Sequence, residues 1–502
     1  MKPGRLPFLW IVAALLGVGC VPDPGGGLPS RANAPAPGGY VLAWRIAHVT
    51  DTHMVDIASP ARFAGADGLV DPAWRPQEAY ATQILDGVVR TVNRIHASGR
   101  RIDFLLHTGD GCDNAQSNEL AWLLGVLEGE TIVPLSMPDD RALEARPPAE
   151  LDPFAGFEAQ GLYVQGRHGE LPSIPWYGLL GNHDVYSIGV FPTFEVEPGH
   201  RIAPLPLEWR PGIWLPVWLD PIGALGYGQV TPAATGPPRL LQSPRPAVPN
   251  PARAYFDKAQ FAGALAGTVS TPAGHGLPPS ETGQTWYSVS PAPGLRLIGL
   301  DTTTPTAVWP GSIQAEGALS REQLEFLAAE LAAAAERGEL VVVASHHPSD
   351  SLVPLAGSDV RPEELRAVLA AAPGVMLHLA GHTHRNRVWQ RAGYLEIETC
   401  STIDMPQEGR LIEIWRNPAD GGVAMVYEMF SHLEDDLPPL GADPLRGLRE
   451  VAFALAAADK GAYARRMSQH ATAGAAIDDG LPAAGRPDDR DGTIILAPGA
   501  RR

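Results

Sequence analysis

Short apolar segments recur along the chain, and each of them ends abruptly in polar residues. This pattern predicts buried β-strands at 45–51, 104–110, 176–181, 340–345 and 375–380. Between these segments the apolar residues recur at helical spacing, which predicts helices at 77–98, 320–337 and 361–371. Ser320 and Gln323 form a capping box for the second of these helices, and Gly338 marks its end.

The alternation of strands and helices predicts an α/β fold built in layers. Further strands are predicted at 295–301, 394–399, 411–415 and 423–429. No helical pattern separates the last three, so we expect them to pair antiparallel at one side of a two-sheet sandwich. In such folds ligands bind at the carboxyl ends of the strands, and this is where the polar residues fall.

The segments outside this pattern define the expected domain organisation. Residues 40–432 are predicted to form one domain, with Pro-rich insertions at about 115–173 and 185–285. These insertions are too long for simple connections, and we interpret them as lids or elaborations over the site. Residues 433–502 are predicted to add one Ala-rich helix, ending near Met467, and a disordered tail rich in Gly, Asp and Arg.

The N-terminus has the layout of a secretion signal, with Lys2 and Arg5 before an apolar run that ends at Gly19-Cys20. That run is shorter than the ~20 residues that a transmembrane helix needs. Residues 1–20 resemble a bacterial lipoprotein signal, which implies export, lipidation of Cys20 and anchoring to a membrane of the cell envelope. Residues 21–39, rich in Pro, Gly, Ala and Ser, predict a flexible linker.

Composition narrows the classes of function. The chain has 502 residues, a 45% hydrophobic content that suffices for a large core, and a formal net charge of -18. Affinity for nucleic acid depends mainly on clusters of Lys and Arg, so the acidic balance argues against a nucleic-acid partner. Besides Cys20, the chain has only Cys112 and Cys400. The sequence does not decide whether they are bonded, and we favour two separate buried thiols.

Polar clusters follow five of the predicted strands and consist largely of Asp, Asn and His. Their members are Asp51, His53, Asp110, Asn182, His183, Asp184, His346, His347, His382 and His384. Any one of these residues alone is more often packed, solvated or capping than a ligand, but five such clusters in succession are hard to explain by packing. Oxygen and nitrogen donors without thiolate favour Mn, Fe, Zn, Co or Ni over a structural zinc site of the cysteine type.

In this order the clusters resemble the calcineurin-like metallophosphoesterase superfamily. The sequence matches its signature of D-x-H, G-D-x-x-D, G-N-H-D, a later His and G-H-x-H between about Arg45 and Trp415. The resemblance implies a four-layer α/β/β/α sandwich of two mixed sheets flanked by helices. It also implies two divalent metal ions, one held by Asp51, His53, Asp110 and His384 and the other by Asp110, Asn182, His346 and His382.

The resemblance further implies roles for three residues beside these ligands. Relatives with a His-x-Pro motif use the His two places before Pro as the ligand, which selects His346 and leaves His347 as a wall or supporting residue. His183 is implied to protonate the leaving group or to hold the phosphate. Asp184 would then fix the tautomer of His183, with a turn-forming carboxylate as the alternative.

One departure from a related group is informative. Purple acid phosphatases have a Tyr that ligates Fe(III) where this chain has Asp113, so a purple enzyme is not expected. We interpret Asp113 and Asn114 as residues that orient the ligand histidines or their loop. Arg385 is interpreted as a contact for substrate phosphate, or as a surface charge.

The resemblance implies hydrolysis of a small phosphomonoester or phosphodiester by a hydroxide that two metal ions activate, outside the cytoplasm. Two other functions stay open at this point. One is a non-catalytic, metal-binding or scaffold protein with the same fold, and the other is a nuclease, which the acidic charge disfavours. The substrate, the identity of the metal and the oligomeric state are not determined by the sequence.

Overall fold

Two six-stranded sheets pack face to face and carry helices on their outer faces. The computed structural model describes residues 37–61, 75–134, 152–162, 173–210, 213–222, 249–303, 315–354, 359–459 and 483–496. The predicted signal and most of the predicted linker therefore lie outside the described residues. No helix within the described ranges is long and apolar enough to cross a membrane.

The secondary structure follows the predicted alternation. The strands are β1 (Val41–Val49), β2 (Phe104–His107), β3 (Thr131–Ile132), β4 (Phe157–Glu158), β5 (Trp176–Gly178), β6 (Phe194–Glu197), β7 (His200–Arg210), β8 (Ile213–Leu219), β9 (Tyr287–Ala292), β10 (Leu295–Gly299), β11 (Leu340–Ala344), β12 (Val375–Ala380), β13 (Arg387–Gln390), β14 (Leu395–Glu398), β15 (Glu408–Arg416), β16 (Val423–Ser431) and β17 (Gly492–Leu496). The helices are α1 (Ala81–Ala97), α2 (Ser117–Glu128), α3 (Lys258–Ala266), α4 (Arg321–Glu336), α5 (Pro362–Ala371), α6 (Arg446–Ala457) and the short α7 (Pro487–Arg490).

Each large sheet contains a block of parallel strands. The first sheet has the order β17-β16-β15-β1-β2-β5, in which β1, β2 and β5 run parallel. The second has the order β13-β14-β12-β11-β10-β9, in which β10, β11, β12 and β14 run parallel. Because the carboxyl ends of parallel strands meet at one edge of a sheet, the loops that follow them are brought together. Smaller sheets, β3-β4 and β6-β7-β8, lie within the two insertions.

The core explains this layering. Leu297, Val342 and Leu377 on one face of the second sheet belong to the same buried cluster as Ile46 and Ile412 of the first sheet. The opposite face of the second sheet, with residues such as Val341 and Val343, packs against α4 and α5. Helix α4 begins as predicted, since the Ser320 hydroxyl accepts a hydrogen bond from the Gln323 backbone N–H at 3.2 Å. It ends as predicted at Gly338, which has a positive φ of 66°.

Three sequence predictions about the fold were wrong. The strand predicted at 394–399 does not pair antiparallel with its successors, because β14 lies parallel to β12 in the second sheet. The first insertion is not only an elaboration, since Leu120, Leu123 and Val126 of α2 lie in the main core. The predicted tail is not disordered over residues 483–496, where β17 pairs antiparallel with β16. The β-branched run Thr493-Ile494-Ile495 favours a strand despite the polar composition around it.

Two further expectations can be compared with the structure. Cys112 and Cys400 are both buried and free, so the chain has no bond between them. The C-terminal helix is α6, which ends at Ala457, before the predicted end near Met467. Residues 460–482 lie outside the described part of the chain.

Candidate metal centre

The candidate ligands stand on loops that leave the parallel strands of both sheets. Asp51, Asp110 and Asn182 lie just beyond β1, β2 and β5 of the first sheet, and His346, His382 and His384 lie just beyond β11 and β12 of the second. These side chains and that of His53 are fully buried or nearly so. Four groups of acidic and histidine side chains in and beside this set have the spacing that could hold a metal ion: Asp51 with His53 and His384; Asp51 with Asp110 and His346; His346 and His382 with His347; and His53 with Asp113 and His183.

The backbone at the ligands is held in an unusual conformation. Asp51, His53, Asp110, His382 and His384 all have positive φ angles, between 44° and 67°. This left-handed region is sparsely populated by residues other than glycine, and such residues concentrate at functional sites. The loops therefore accept local strain in order to aim these side chains inward.

One group of ligands surrounds a point between β1 and β12. Nε2 of His53 lies 3.1 Å from Nε2 of His384. The Oδ1 atom of Asp51 lies 3.2 Å from Nε2 of His384 and 3.8 Å from Nε2 of His53. Oδ2 of Asp110 lies 3.7 Å from the same nitrogen of His53. Four donor atoms thus converge on one small volume.

A second group lies on the other side of Asp110. Nε2 of His346 is 3.2 Å from Oδ2 of Asp110 and 3.1 Å from Oδ1 of Asn182. The ring of His382 lies beside that of His346, with 5.2 Å between the ring centroids. The Asn182 amide is oriented because its Nδ2 donates to the carbonyl of Gly189 at 2.9 Å, which leaves Oδ1 facing the imidazole. Asp110 is therefore common to both groups.

The two carboxylates show how well these residues fit a metal. Oδ2 of Asp51 accepts hydrogen bonds from the Thr50 hydroxyl and the His382 N–H, and Oδ1 of Asp110 accepts one from the His183 N–H. The other oxygen of each, Oδ1 of Asp51 and Oδ2 of Asp110, is buried without a hydrogen-bond donor among the described residues. A buried carboxylate oxygen is costly unless a donor or a cation satisfies it. Both oxygens face the imidazole nitrogens, as ligands of a cation would.

Glycines make room for these carboxylates. A β-carbon on Gly181 would overlap the carboxylate of Asp110, and one on Gly381 would overlap that of Asp51 and the hydroxyl of Thr50. The Gly before Asn182 and the Gly before His382 are thus required by close approach as well as by turn geometry.

The ligand histidines are oriented through their Nδ1 atoms. His53 donates from Nδ1 to Oδ1 of Asp113 at 2.9 Å, and His384 donates to Oδ2 of Asp404 at 2.8 Å. His346 donates from Nδ1 to the backbone carbonyl of Thr108 at 2.8 Å. Each bond fixes the orientation of the ring and directs Nε2 toward the centre, which is the usual support of a metal-binding imidazole.

The charges of the centre favour cation binding. Burial, reinforced by the charge of Arg75, lowers the pKa of His53 to about 4, so its imidazole is neutral at pH 7. Burial opposes ionisation of Asp110, but the neighbouring His346 outweighs it and holds the pKa of this carboxyl well below its usual range. In the same way, His384 outweighs burial and lowers the pKa of Asp51. Both carboxylates are therefore anionic at neutral pH.

The structure separates His346 from His347. His347 shares a hydrogen bond between Nδ1 and the hydroxyl of Thr302 at 2.8 Å, and its Nε2 lies 3.2 Å from the carbonyl of Ala315. Both ring nitrogens are thus engaged away from Asp110. Its ring nevertheless lies 4.3 Å from that of His382, which fits the predicted wall or supporting position.

Of the two roles predicted for Asp184, its contacts fit the turn-forming one. Its carboxylate accepts hydrogen bonds from the backbone N–H groups of Gly181, Gly111 and Cys112, and so it ties two ligand loops together as a turn-forming carboxylate would. The tautomer of His183 is fixed instead by the carbonyl of Asp113, which accepts from Nδ1 at 2.8 Å. The Nε2 atom of His183 is buried without a hydrogen-bond partner among the described residues.

The remaining predicted residues have distinct positions. Asp113 contacts the ring of His53, as predicted for a residue that orients a ligand. Asn114 supports the loop, because its backbone and side-chain N–H groups both donate to Glu119. Arg385 is buried, and its charge lies close to the carboxylate of Glu398, so it is not a surface charge.

Sequence reasoning missed two residues that support the centre. Asp404, in the loop after β14, orients His384. Arg75 is buried and donates to the carboxylates of both Asp113 and Asp404, at 2.9 Å and 3.4 Å. Neither residue belongs to a motif or follows a strand of the predicted parallel blocks, so no local signal distinguished them.

A family model and several solved structures match the chain. Residues 45–236 match the family model described as calcineurin-like phosphoesterase. No curated protein sequence matches the chain. Among solved structures, the chain is similar to a dimetal phosphatase from Danio rerio, with 16% identity over 80% of this chain and 100% of the other and a TM-score of 0.38. It is also similar to a protein assigned as a 5'-nucleotidase from Staphylococcus aureus, solved with alpha-ketoglutarate, with 13% identity over 82% of this chain and 57% of the other and a TM-score of 0.31.

The layered fold and the buried Asp, Asn and His centre define a hydrolase of the metal-dependent type. With the family match, they place residues 45–236 in the calcineurin-like metallophosphoesterase superfamily. The chain is accordingly a phosphoric ester hydrolase, and its reaction depends on metal ions.

Proposed function

We propose that the chain hydrolyses small phosphomonoesters or phosphodiesters outside the cytoplasm, using two divalent ions that share Asp110. One ion is held by Asp51, His53, Asp110 and His384, and the other by Asp110, Asn182, His346 and His382. The observation that carries this proposal is the pair of buried carboxylate oxygens, Oδ1 of Asp51 and Oδ2 of Asp110, which face imidazole nitrogens and lack donors within the described residues. Oxygen and nitrogen donors suit Mn, Fe, Zn, Co or Ni.

The chemistry divides between the ions and the side chains. Two such ions, when bound, polarise phosphoryl oxygens and lower the pKa of water toward neutrality. In its imidazolium form His183 can donate its Nε2 proton to the leaving alkoxide and become the neutral imidazole, because its Nδ1–H stays held by the carbonyl of Asp113 and Nε2 is left for the substrate. The ring lies edge-on to His53, with 4.5 Å between the centroids, so this proton is delivered beside the centre.

The cellular location belongs to the same proposal. The basic start, the apolar run and Gly19-Cys20 support export and lipidation of Cys20, with residues 21–39 as a tether to the membrane. Partition of the full chain into detergent phase, abolished by Cys20→Ser, tests the anchor. Recovery of Cys20→Ser and the wild-type chain in the same phase would rule it out.

A pair of neighbouring variants tests the ligand assignment. We expect His346→Ala to lose one of two bound Mn ions and most of its turnover, whereas His347→Ala keeps both ions. Metal content after equilibrium dialysis and hydrolysis of p-nitrophenyl phosphate and bis(p-nitrophenyl) phosphate measure the two effects. Lost metal in His347→Ala with an intact complement in His346→Ala would reverse the assignment. Mono-, di- and cyclic phosphates and plasmid DNA then identify the substrate class.

A further inference from the structure

Arg75 stands behind one half of the metal centre and reaches both of its supporting carboxylates. Its side chain is 1% exposed. Nη1 donates to Oδ1 of Asp113 at 2.9 Å, and Nε donates to Oδ2 of Asp404 at 3.4 Å. These are the two oxygens that accept hydrogen bonds from Nδ1 of His53 and Nδ1 of His384. One guanidinium therefore contacts the orienting partner of two different ligands.

These contacts form a closed circuit of side chains that begins and ends at Arg75. From Arg75, one arm runs through Asp113 to His53 and the other through Asp404 to His384, and the Nε2 atoms at the ends of the two arms lie 3.1 Å apart. A change in either arm moves one imidazole relative to the other. The planar guanidinium holds several donors in fixed directions, so it can set both carboxylates at once in a way that a lysine ammonium cannot.

In the other half of the centre, two ligands are oriented by backbone atoms. His346 is oriented by the carbonyl of Thr108, and Asn182 by the carbonyl of Gly189. Both partners are backbone atoms of neighbouring ligand loops. The contacts of Arg75 thus distinguish one set of four ligands from the other.

The position of Arg75 is itself well defined. Its backbone N–H donates to the carboxylate of Glu78 at 3.0 Å. Gln77, two residues further on, donates from Nε2 to Oδ1 of Asp404 at 2.9 Å and to the carbonyl of Ile403 at 3.0 Å. These hydrogen bonds hold the segment before α1 against the loop that carries Asp404. They keep the guanidinium within hydrogen-bond distance of both carboxylates.

We propose that Arg75 is a positioning residue that sets the affinity of the ion held by Asp51, His53, Asp110 and His384, and has little effect on the other ion. This inference rests on the proposed function, since it assumes that both ions bind. A role in folding alone would make a different prediction, because a buried guanidinium that only fastens a loop lowers stability without selecting one ion.

The test compares Arg75→Gln, Arg75→Lys and Arg449→Gln as full chains. Arg449 provides the matched control, because it is also a buried arginine paired with a carboxylate, Asp443, and its described hydrogen bonds, to Asp443 and to the carbonyl of His432, lie outside the ligand loops. Each protein is stripped of metal and titrated with Co²⁺ in equilibrium dialysis. Visible absorption reports the coordination of the bound ions, and thermal unfolding of the metal-free proteins reports stability.

We expect Arg75→Gln to bind one Co²⁺ about 10–100-fold more weakly and the other within about threefold of wild type, the usual scale for loss of an outer-shell partner. Arg75→Lys should recover part of the affinity, and Arg449→Gln should keep both ions even if its stability falls. Wild-type affinity, tighter binding or equal weakening of both ions in Arg75→Gln would overturn the inference while leaving the proposed function intact. Failure of the wild-type chain to bind two ions would overturn both.

Discussion

Gly189 decides the position of the residue that we assign to proton transfer. Its φ is +69°, and a β-carbon at this position would overlap Cδ2 and Nε2 of His183. We predict that Gly189→Ala displaces the His183 ring and lowers kcat about 10–100-fold, because a positioned acid contributes roughly 10²–10⁴-fold. Bound metal is determined as well, because the carbonyl of Gly189 also orients the ligand Asn182. Steady-state hydrolysis of p-nitrophenyl phosphate and metal analysis of the same samples measure the two quantities.

Gly199 provides the control for backbone strain in this test. It has a similar φ of +76°, but a β-carbon there meets no atom within 4 Å. Gly199→Ala should therefore share the conformational cost of the substitution and keep wild-type turnover. Equal losses of kcat in both variants would show that strain, and not the contact with His183, is responsible.

His275 couples stability to pH at a distance from the centre. Burial lowers its pKa to about 4 from a usual value of 6.5, while its Nδ1 donates to the carbonyl of Trp176. On acidification the unfolded chain takes up this proton near pH 6.5 and the folded chain only near pH 4, so stability is lost as the pH falls through that window. We predict that His275→Gln reduces the loss of unfolding free energy between pH 7 and pH 5 by about 2 kcal/mol.

Urea unfolding of metal-free protein at both pH values measures this difference. His200→Gln provides a comparison, because His200 is a partly exposed histidine that contacts Asp220. An unchanged pH dependence in His275→Gln would mean that this histidine does not carry the predicted proton uptake.

The site residues that could be predicted from the sequence are those that directly follow a predicted strand. Asp51 and Asp110 stand at the ends of neighbouring parallel strands, so their convergence follows from the parallel arrangement alone, and His346 has the equivalent position in the second sheet. Asp404 and Arg75 act through contacts between segments 329 residues apart in sequence. Such a contact exists only once both sheets have packed, and therefore no local pattern encodes it. The tautomer of His183 is a similar case, because a backbone carbonyl supplies the partner that a neighbouring carboxylate was expected to supply.

At the scale of elements, the C-terminal strap of residues 483–496 is the largest departure from expectation. Arg490 in this strap is buried and donates from Nη1 and Nη2 to both carboxylate oxygens of Glu408, at 2.8 Å and 2.7 Å. The carbonyl of Ala483 accepts a hydrogen bond from the N–H of Asn386, close to the His384 loop. The strap thus closes the side of the sandwich where β16 would otherwise be an open edge, a position that proteins usually protect.

We predict that Arg490→Gln lowers the unfolding free energy by about 3–5 kcal/mol, the usual cost of leaving one charge of a buried pair unpaired. Arg446→Gln removes a more exposed pair with Glu450 and should cost only about 0–1 kcal/mol. Urea unfolding at fixed metal concentration compares the two. Equal, small effects would mean that the strap contributes little to the stability of the fold.

Strand positions were more predictable than strand partners. The segment at 394–399 was recognised as a strand, but its partner depends on β13, which is only four residues long and leaves a weak pattern. With β13 at the edge of the second sheet, β14 is placed beside β12 and runs parallel to it. The apolar pattern of β14, which is itself only four residues long, does not record which strands lie beside it.

At the scale of the whole molecule, the centre joins the two sheets. Asp51, Asp110 and Asn182 extend from the first sheet, and His346 and His382 extend from the second, so a bound ion links both halves of the sandwich. An ion that binds only the folded chain raises its stability by about 2.7 kcal/mol at a free concentration 100 times its dissociation constant. We therefore predict that Mn²⁺ raises the unfolding free energy by an amount of this order for each ion, and that EDTA removes the increase.

Asp110→Asn should show much less of this increase, because Asp110 is common to both groups of ligands and its buried oxygen faces His53 and His346. Asp420→Asn changes a carboxylate in the turn between β15 and β16, near the start of β1 and therefore at the opposite end of that strand from Asp51, and should keep the full effect. Urea unfolding with and without Mn²⁺ distinguishes the two variants. If Mn²⁺ stabilised Asp110→Asn as strongly as the wild-type chain, the shared position of Asp110 and the link between the sheets would both be wrong.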